Sequence, residues 1–265
     1  MSVAGFVVIA FMLTVYVLLD GFDLGVAAVA PLIARGDRER AAAMASIGPF
    51  WNGNEVWLIA AGAVLFALFP TAYASSFSGF YLPFVVVLWM LMFRGIALEL
   101  RDHFPSELWH QFWDAAFSAA SVLLIFLFGV TLGNLLRGVP LDASGYFQGR
   151  FAFLLNPYAL LVGLFALATL AVHGAAFAAI RIDGEPAVRA ARVVRGGAWL
   201  LLGLYAAVTA MTFAEGVQIR ASWLFAMPAL SLLALFALRR CARKERRVAA
   251  FAMSSSFIAT LLVTA

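Results

Sequence analysis

The sequence predicts an all-α, polytopic integral membrane protein with about eight transmembrane helices. Its 265 residues are 65% hydrophobic and 12% charged, whereas a soluble domain is about one quarter charged. Several apolar runs reach roughly 20 residues, which is the length that a helix needs to cross a bilayer. A spanning segment must pair its own backbone groups, and these runs are too long for barrel strands, so they are predicted to be helices.

The spans can be placed from their apolar runs and from the residues that interrupt them. The second predicted helix stops at Pro70, Pro83 is expected to kink the third, and Asn156 is expected to cap the fifth. A charged loop is predicted at 35–40, and an aromatic segment suited to the membrane interface at 105–113. The predicted helices are 3–33, 47–69, 76–98, 115–136, 157–180, 197–213, 223–238 and a last one that begins near residue 248.

A weak internal repeat suggests that these helices form two halves. Asp20 and Gly21 lie late in the first predicted helix, and His173 and Gly174 lie late in the fifth. Each pair is followed by an apolar stretch and a loop that carries both acidic and basic residues. Many membrane proteins are built from such repeats. We therefore expect a first four-helix half at 1–138 and a second at 139–265, with the second incomplete at its C-terminus.

The basic residues predict the orientation of the chain. Lys244 is the one lysine among 18 basic residues. The loops after the odd-numbered helices carry 14 of them, the opposite side carries three, and Arg94 lies inside the third helix. Because basic loops stay in the cytoplasm, the N-terminus is predicted to lie outside. The net charge of +4 thus reports topology and gives no reason to expect a nucleic-acid partner.

Polar residues lie at one depth in the first three predicted helices. Asp20 and Asp23 fall late in the first helix, and Asn52 and Glu55 lie within the first turns of the second, where Asn54 also lies. Since ionisable groups at lipid depth are costly, such a group is a functional site by default. These four residues, Asp20, Asp23, Asn52 and Glu55, are predicted to line a proton pathway. Charge partners come from late in the third helix, namely Arg94 and Glu99.

The same residues could instead form a structural ion pair that locks the three helices together, and the two interpretations are compatible. Other chemistry has little support in the sequence. The chain has one cysteine and three histidines, and no two of those histidines are placed to hold a haem between facing helices. His173 is better explained as a hydrogen-bonded histidine at a helix contact. We therefore expect no haem site, no metal site and no catalytic centre in this chain alone.

Five motifs resemble subunit II of the cytochrome bd quinol oxidase family, and the resemblance covers essentially the whole chain. They are Asp20-Gly21-Phe22-Asp23-Leu24-Gly25, the run from Gly48 to Leu58 (GPFWNGNEVWL), Phe77-Ser78-Gly79-Phe80-Tyr81, Gly145-Tyr146-Phe147-Gln148-Gly149 and Leu155-Asn156-Pro157-Tyr158-Ala159-Leu160. Two departures stand out. The family usually has an acidic residue where this chain has Asn52, and its subunit continues with further helix beyond Ala265, so the chain is expected to be shortened at its C-terminus.

The resemblance implies a function. The family's oxidase takes electrons from membrane quinol and reduces oxygen to water, and haems b and d belong to the partner, subunit I. Subunit II packs against subunit I in the plasma (inner) membrane of bacteria and contributes to proton uptake from the cytoplasm; in some members it also holds a structural quinone. The alternatives are a secondary transporter, which also places charges inside a helical bundle, and a structural assembly subunit without a transport role.

Overall fold

The apolar runs fold into long helices, as a computed structural model of the chain shows for residues 3–216 and 226–264. Helices are the dominant structure because each spanning run must satisfy its own backbone hydrogen bonds. Those two ranges contain no named strand, and an isolated bridge pairs Leu141 with Phe147. The helices are α1 (Val3–Ile33), α2 (Asp37–Ile47), α3 (Trp51–Leu68), α4 (Pro70–Gly79), α5 (Tyr81–Leu100), α6 (Glu107–Arg137), α7 (Phe151–Leu154), α8 (Pro157–Arg181), α9 (Glu185–Ala214), α10 (Ala226–Arg243) and α11 (Arg247–Thr264).

Five of the described helices are long and apolar enough to cross a membrane. They are α1, α5 with the short turn Arg101–His103 that follows it, α6, α8 and α9. The last helix is shorter but apolar. The other two predicted spans correspond to α3 and α10, whose polar first turns and basic last turn respectively lower their hydropathy. The start predicted for α10, Trp223, lies outside the described residues.

Three sequence predictions about local structure need correction. The predicted loop at 35–40 is largely helical, because acidic residues in the first turn of α2 and the alanines that follow favour a helix. The predicted helix 76–98 is two helices that meet at Phe80, so the interruption lies before Pro83, which occupies the first turn of α5, where no backbone donor is needed. Finally, α6 and α9 begin earlier than predicted, at Glu107 and Glu185.

The fifth predicted helix is confirmed together with its cap. The Asn156 side chain accepts a hydrogen bond from the backbone N–H of Ala159 at 2.9 Å, and Pro157 occupies the first position of α8. This arrangement satisfies one of the free donors at the helix start. Two adjacent residues, Asn156 and Pro157, therefore specify where α8, the most buried helix, begins.

The bundle is organised around α8, which packs against α1, α6, α9 and α11. Its crossing with α1 is very close: a Cβ added to Gly25 would lie 2.0 Å from the backbone oxygen of Leu170, and Gly174 faces the same point. Such small residues let helix backbones touch where larger side chains would hold them apart. Helix α1 also contacts α3, and α5 packs on α6, so α1 joins α3 to the centre of the bundle. The division into halves at 138/139 stays a prediction.

Candidate functional site

A buried arginine forms the centre of the polar cluster that the sequence predicts. Arg94, on α5, is 1% exposed. Its Nη1 donates to both carboxylate oxygens of Asp20, on α1, at 2.8 and 2.9 Å, and its Nη2 donates to Glu55 Oε1, on α3, at 2.5 Å. One guanidinium therefore ties together three helices that are far apart in sequence. The predicted role of Arg94 as partner of a carboxylate is matched by this geometry.

A second polar contact joins α1 to α3 nearby. Asp23, one turn after Asp20, is fully buried, and its Oδ2 accepts a hydrogen bond of 2.7 Å from Asn54 Nδ2. The spacing of three residues places both aspartates on the face of α1 that meets α3. Asn54 and Glu55 are consecutive, so α3 presents an amide to Asp23 and a carboxylate to Arg94. We call Asp20, Asp23, Asn54, Glu55 and Arg94 the carboxylate cluster.

The cluster is asymmetric in charge and in exposure. It holds three carboxyl groups and one guanidinium, so full ionisation would leave two uncompensated negative charges at lipid depth, which is costly. The side chains of Asp20 and Asp23 are inaccessible, whereas that of Glu55 is 22% exposed. Glu55 is therefore the acid of the cluster that reaches the surface of the chain. The arrangement is chemically suited to binding and releasing protons.

Two of the predicted site residues lie outside this group. Asn52 is exposed, because residues two apart on a helix point in nearly opposite directions and Asn54 is the one that faces α1. Glu99 is exposed as well, and its backbone oxygen contacts His103 Nδ1 at 3.1 Å. Arg94 takes Asp20 and Glu55 as its carboxylate partners in the described structure. The amide in the cluster is that of Asn54.

Tyr16 is a neighbour of the cluster that the sequence reasoning did not select. It lies one turn before Asp20 on α1, is buried, and packs edge-on against Phe128 at 5.9 Å between ring centroids. Within the described residues its hydroxyl has no hydrogen-bond partner. The spacing of four residues from Asp20 was the available signal, since such residues share a helix face.

A second arginine is surrounded by carboxylates near the ends of the helices. Arg101 is 3% exposed and contacts Asp114 at 2.7 Å, Asp37 at 2.6 Å and Asp102 at 3.0 Å. His110 Nδ1 also lies 3.1 Å from Asp37. Burial opposes ionisation of Asp37, but the hydrogen bond and charge of Arg101 outweigh it and lower the pKa of Asp37. Residues of α2, α6 and the turn after α5 are thereby held together, and we call this set the surface cluster.

His173 makes the helix contact that its position suggested. Its Nδ1 lies 2.8 Å from Ser254 Oγ on α11, and its Nε2 lies 3.1 Å from the backbone oxygen of Leu18 on α1. The ring stacks on Phe251 with centroids 4.9 Å apart. Both ring nitrogens are thus engaged, which leaves neither available to ligate a haem iron. No group of three His, Cys, Asp or Glu side chains that could hold a metal occurs in the described part of the chain.

Comparisons with known proteins agree with the architecture. The family model for cytochrome bd terminal oxidase subunit II matches residues 1–265. The cytochrome bd-I ubiquinol oxidase subunit 2 of Escherichia coli K12 is 32% identical over 281 residues, covering 93% of this chain and 74% of its own length. The cytochrome bd ubiquinol oxidase subunit 2 of Bacillus subtilis 168 is 34% identical over 208 residues, covering 77% of this chain and 62% of its own length.

A solved structure supports the fold independently. A chain in the bd oxidase of Geobacillus thermodenitrificans superposes with a TM-score of 0.82, over 99% of this chain and 82% of its own length, at 18% identity. At that identity the likeness establishes the fold alone. The predicted all-α, polytopic membrane architecture is confirmed.

Proposed function

The chain belongs to the cytochrome bd terminal oxidase subunit II family, and from this premise we propose that its carboxylate cluster supplies protons to the oxidase. In the proposed complex a haem-bearing subunit I, which carries haems b and d, oxidises membrane quinol and reduces oxygen to water. This chain contributes no redox centre of its own. It packs against subunit I in the bacterial plasma membrane and carries part of the route by which protons arrive from the cytoplasm.

The observation that carries the proposal is the excess of carboxylates around Arg94. A purely structural pair needs one acid for one base, whereas Asp20, Glu55 and Asp23 together provide three. Oxygen reduction consumes protons, and a row of carboxyl groups can hold them at a depth where free ions are costly. Asp20 and Glu55 share the single positive charge of Arg94. Protonation of one carboxyl group therefore strengthens the ion pair between Arg94 and the other.

The exposure of the three carboxyl groups gives the order in which a proton meets them along the proposed route. Glu55 is reached from the surface and therefore receives the proton, and Asp20, on the buried side of Arg94, is the next acid. Asp23 lies one turn along α1 and is held by Asn54. An amide can orient a carboxyl group but cannot relay a proton at neutral pH. Asn54 is thus a positioning residue, and Glu55, Asp20 and Asp23 are the proton carriers.

A matched pair of substitutions tests this proposal. Glu55→Gln keeps a side chain that can accept from Arg94 but removes the titratable group, so quinol oxidase turnover should fall roughly tenfold or more, the scale of one lost proton-transfer group. Glu99→Gln is the control, because it removes an exposed carboxylate outside the cluster. Turnover, haem content and subunit ratio are measured on the purified complex. The control should match the unmodified oxidase in all three.

The outcomes separate a proton role from a structural one. Slow turnover with normal haem content in Glu55→Gln supports proton delivery. Full turnover in that variant removes Glu55 from the route. Loss of the assembled complex in Glu55→Gln, with normal assembly of Glu99→Gln, favours the structural ion pair as the main role of the cluster.

We also propose that the N-terminus lies outside and that the 35–46 and 181–196 segments face the cytoplasm. The support is the basic-residue bias. In a Cys241→Ser background, Asp183→Cys should resist a membrane-impermeant thiol reagent added to intact cells, while Ser144→Cys, exposed at the other end of the bundle, should react. Reaction at 183 and protection at 144 would reverse the orientation.

A further inference from the structure

A group of exposed basic residues lies where α9, α10 and α11 meet. Six of the nine residues from 239 to 247 are basic, and Glu245 is the one acid among them. Arg240, Arg243, Lys244 and Arg246 are exposed, as is Arg192 in the early turns of α9. We call these five the basic patch. None of the five forms an ion pair within the described residues.

The local fold concentrates these charges in a small area. The turn from α10 to α11 places Glu245 at φ 55°, and the N–H groups of Arg246 and Glu245 donate to the carbonyls of Cys241 and Ala242. This is a Schellman motif, with glutamate at the left-handed position that glycine usually occupies. It brings the end of α10 and the start of α11 together. Helix α9 is adjacent, because Arg195 Nη1 lies 3.7 Å from Glu245 Oε1.

Several other basic residues at the same end of the bundle are paired with carboxylates. Arg101 contacts three aspartates, Arg40 lies 3.8 Å from Asp114, and Arg189 pairs with Glu39. The tendency of basic residues to remain on one side of the membrane explains why both groups are there. It does not explain why one group is paired with carboxylates and the other is left with unpaired positive charge.

The patch borders an exposed apolar surface. The guanidinium of Arg239 lies 3.7 Å above the ring of Trp199, which is 59% exposed. This pair marks the level of the membrane interface, where tryptophan and arginine side chains both lie favourably. Next to it, Leu200, Leu233 and Phe236 are exposed apolar residues of α9 and α10. A molecule bound here meets positive charge at one end and an apolar helix surface at the other.

We propose that the basic patch binds the phosphate headgroup of an anionic phospholipid, with the acyl chains along the exposed apolar surface of α9 and α10. Clusters of four to eight basic residues beside a membrane span have the charge that such headgroups require. The continuity of charge with apolar surface selects a lipid over a soluble anion, which gains nothing from the apolar part.

The test measures lipid selectivity of the intact oxidase, purified with its partner subunit and placed in phosphatidylcholine nanodiscs. Spin-labelled phosphatidylglycerol and spin-labelled phosphatidylcholine are added in turn, and electron paramagnetic resonance gives the motionally restricted fraction of each. The patch variant is Arg243→Gln with Lys244→Gln. The matched control is Arg35→Gln with Arg38→Gln, which also removes two exposed charges at the same end of the bundle. The haem spectrum confirms that each variant is assembled.

The unmodified oxidase should prefer phosphatidylglycerol, and the patch variant should lose this preference by roughly tenfold. The control should keep it, and Arg243→Lys, which retains the charge, should keep it as well. Equal loss in the patch variant and the control would overturn the proposal in favour of a general surface potential. Displacement of the label by inorganic phosphate, but not by sodium chloride at the same ionic strength, would overturn it in favour of a free-anion site.

Discussion

Two buried arginines lie seven residues apart, Arg94 in α5 and Arg101 in the turn after it, and each is surrounded by carboxylates. They share side-chain chemistry, nearly the same exposure and nearly the same helix face. They differ in the acids around them. Arg94 holds Asp20, which is inaccessible, and Glu55, which is 22% exposed. The partners of Arg101 include Asp37 and Asp102, whose side chains are 53% and 82% exposed.

The carboxylates of the two clusters differ in their access to water, and this difference changes the role of the arginine–carboxylate ion pairs. In the surface cluster, water can solvate Asp37 and Asp102 when they lose Arg101, whereas the side chain of Asp114 is 11% exposed, and the contacts hold α2 and α6 together. In the carboxylate cluster Asp20 and Asp23 are inaccessible, and each charge must be balanced by another protein group or by a proton. We therefore expect the first arrangement to be structural, and we propose that the second couples charge to protonation. Three substitutions test this distinction.

The largest effect is expected for Arg94→Gln. It leaves Asp20 without its counter-ion at lipid depth, and removal of one partner of a buried pair costs about 3–5 kcal/mol. The complex should assemble poorly, which haem content per membrane protein and the thermal midpoint of the purified oxidase would report. Arg94→Lys keeps the charge and should recover part of the yield. Normal yield and stability in Arg94→Gln would show that the acids are already neutral without it.

An intermediate effect is expected for Arg101→Gln. Two of its three partner carboxylates, Asp37 and Asp102, reach water, so the loss should be smaller, about 1–2 kcal/mol. Turnover per assembled oxidase should stay normal, while limited proteolysis within 35–46 should become faster because α2 loses its contact with α6. Destabilisation equal to that of Arg94→Gln would remove the distinction between the two clusters.

The smallest effect is expected for Asp37→Asn and concerns pH. The pKa of Asp37 is lowered in the folded chain, so its ionised form contributes stability above the ordinary aspartate value, about 3.9, and this contribution is lost as pH falls through the folded pKa. Thermal midpoints of the variant and the unmodified oxidase should therefore differ at pH 7 and converge only as the pH is lowered well below about 3.9. A difference that stays constant as the pH is lowered would mean that the ionisation of Asp37 contributes nothing.

The sequence predicted the centre of the carboxylate cluster well and its periphery less well. Asp20, Glu55 and Arg94 could be grouped because charges at one lipid depth need each other. The choice of Asn52 instead of Asn54 depended on the rotation of α3, which is set by its contact with α1 and is not visible in a short polar run. Glu99 lies close to Arg94 in sequence, but it is one and a half turns further along the helix and so lies outside the cluster. The roles predicted for Asn52 and Glu99 stay predictions, as does the proton pathway itself, which Glu55→Gln tests.

The surface cluster was not predicted, and the reason is physical. Arg101, Asp37 and Asp114 lie in segments that read as ordinary charged loops, where single charges carry no depth information. Their convergence depends on α2 being a helix and on α6 beginning at Glu107, both of which the sequence reasoning missed. Hydropathy locates spans, but the packing of interfacial helices depends on contacts between distant segments.

The close approach of Gly25 and Gly174 has a mechanical consequence. Because the backbones of α1 and α8 touch at this crossing, the two helices have no room to slide past each other. They therefore move as one rigid unit. Helix α5 is attached to that unit on its α1 side through Arg94 and Asp20. Any tilt of α5 away from α1 must stretch this ion pair, and any change in its charge must alter the force that holds α5 in place. The position of α5 is therefore linked to the charge carried by the Asp20–Arg94 pair.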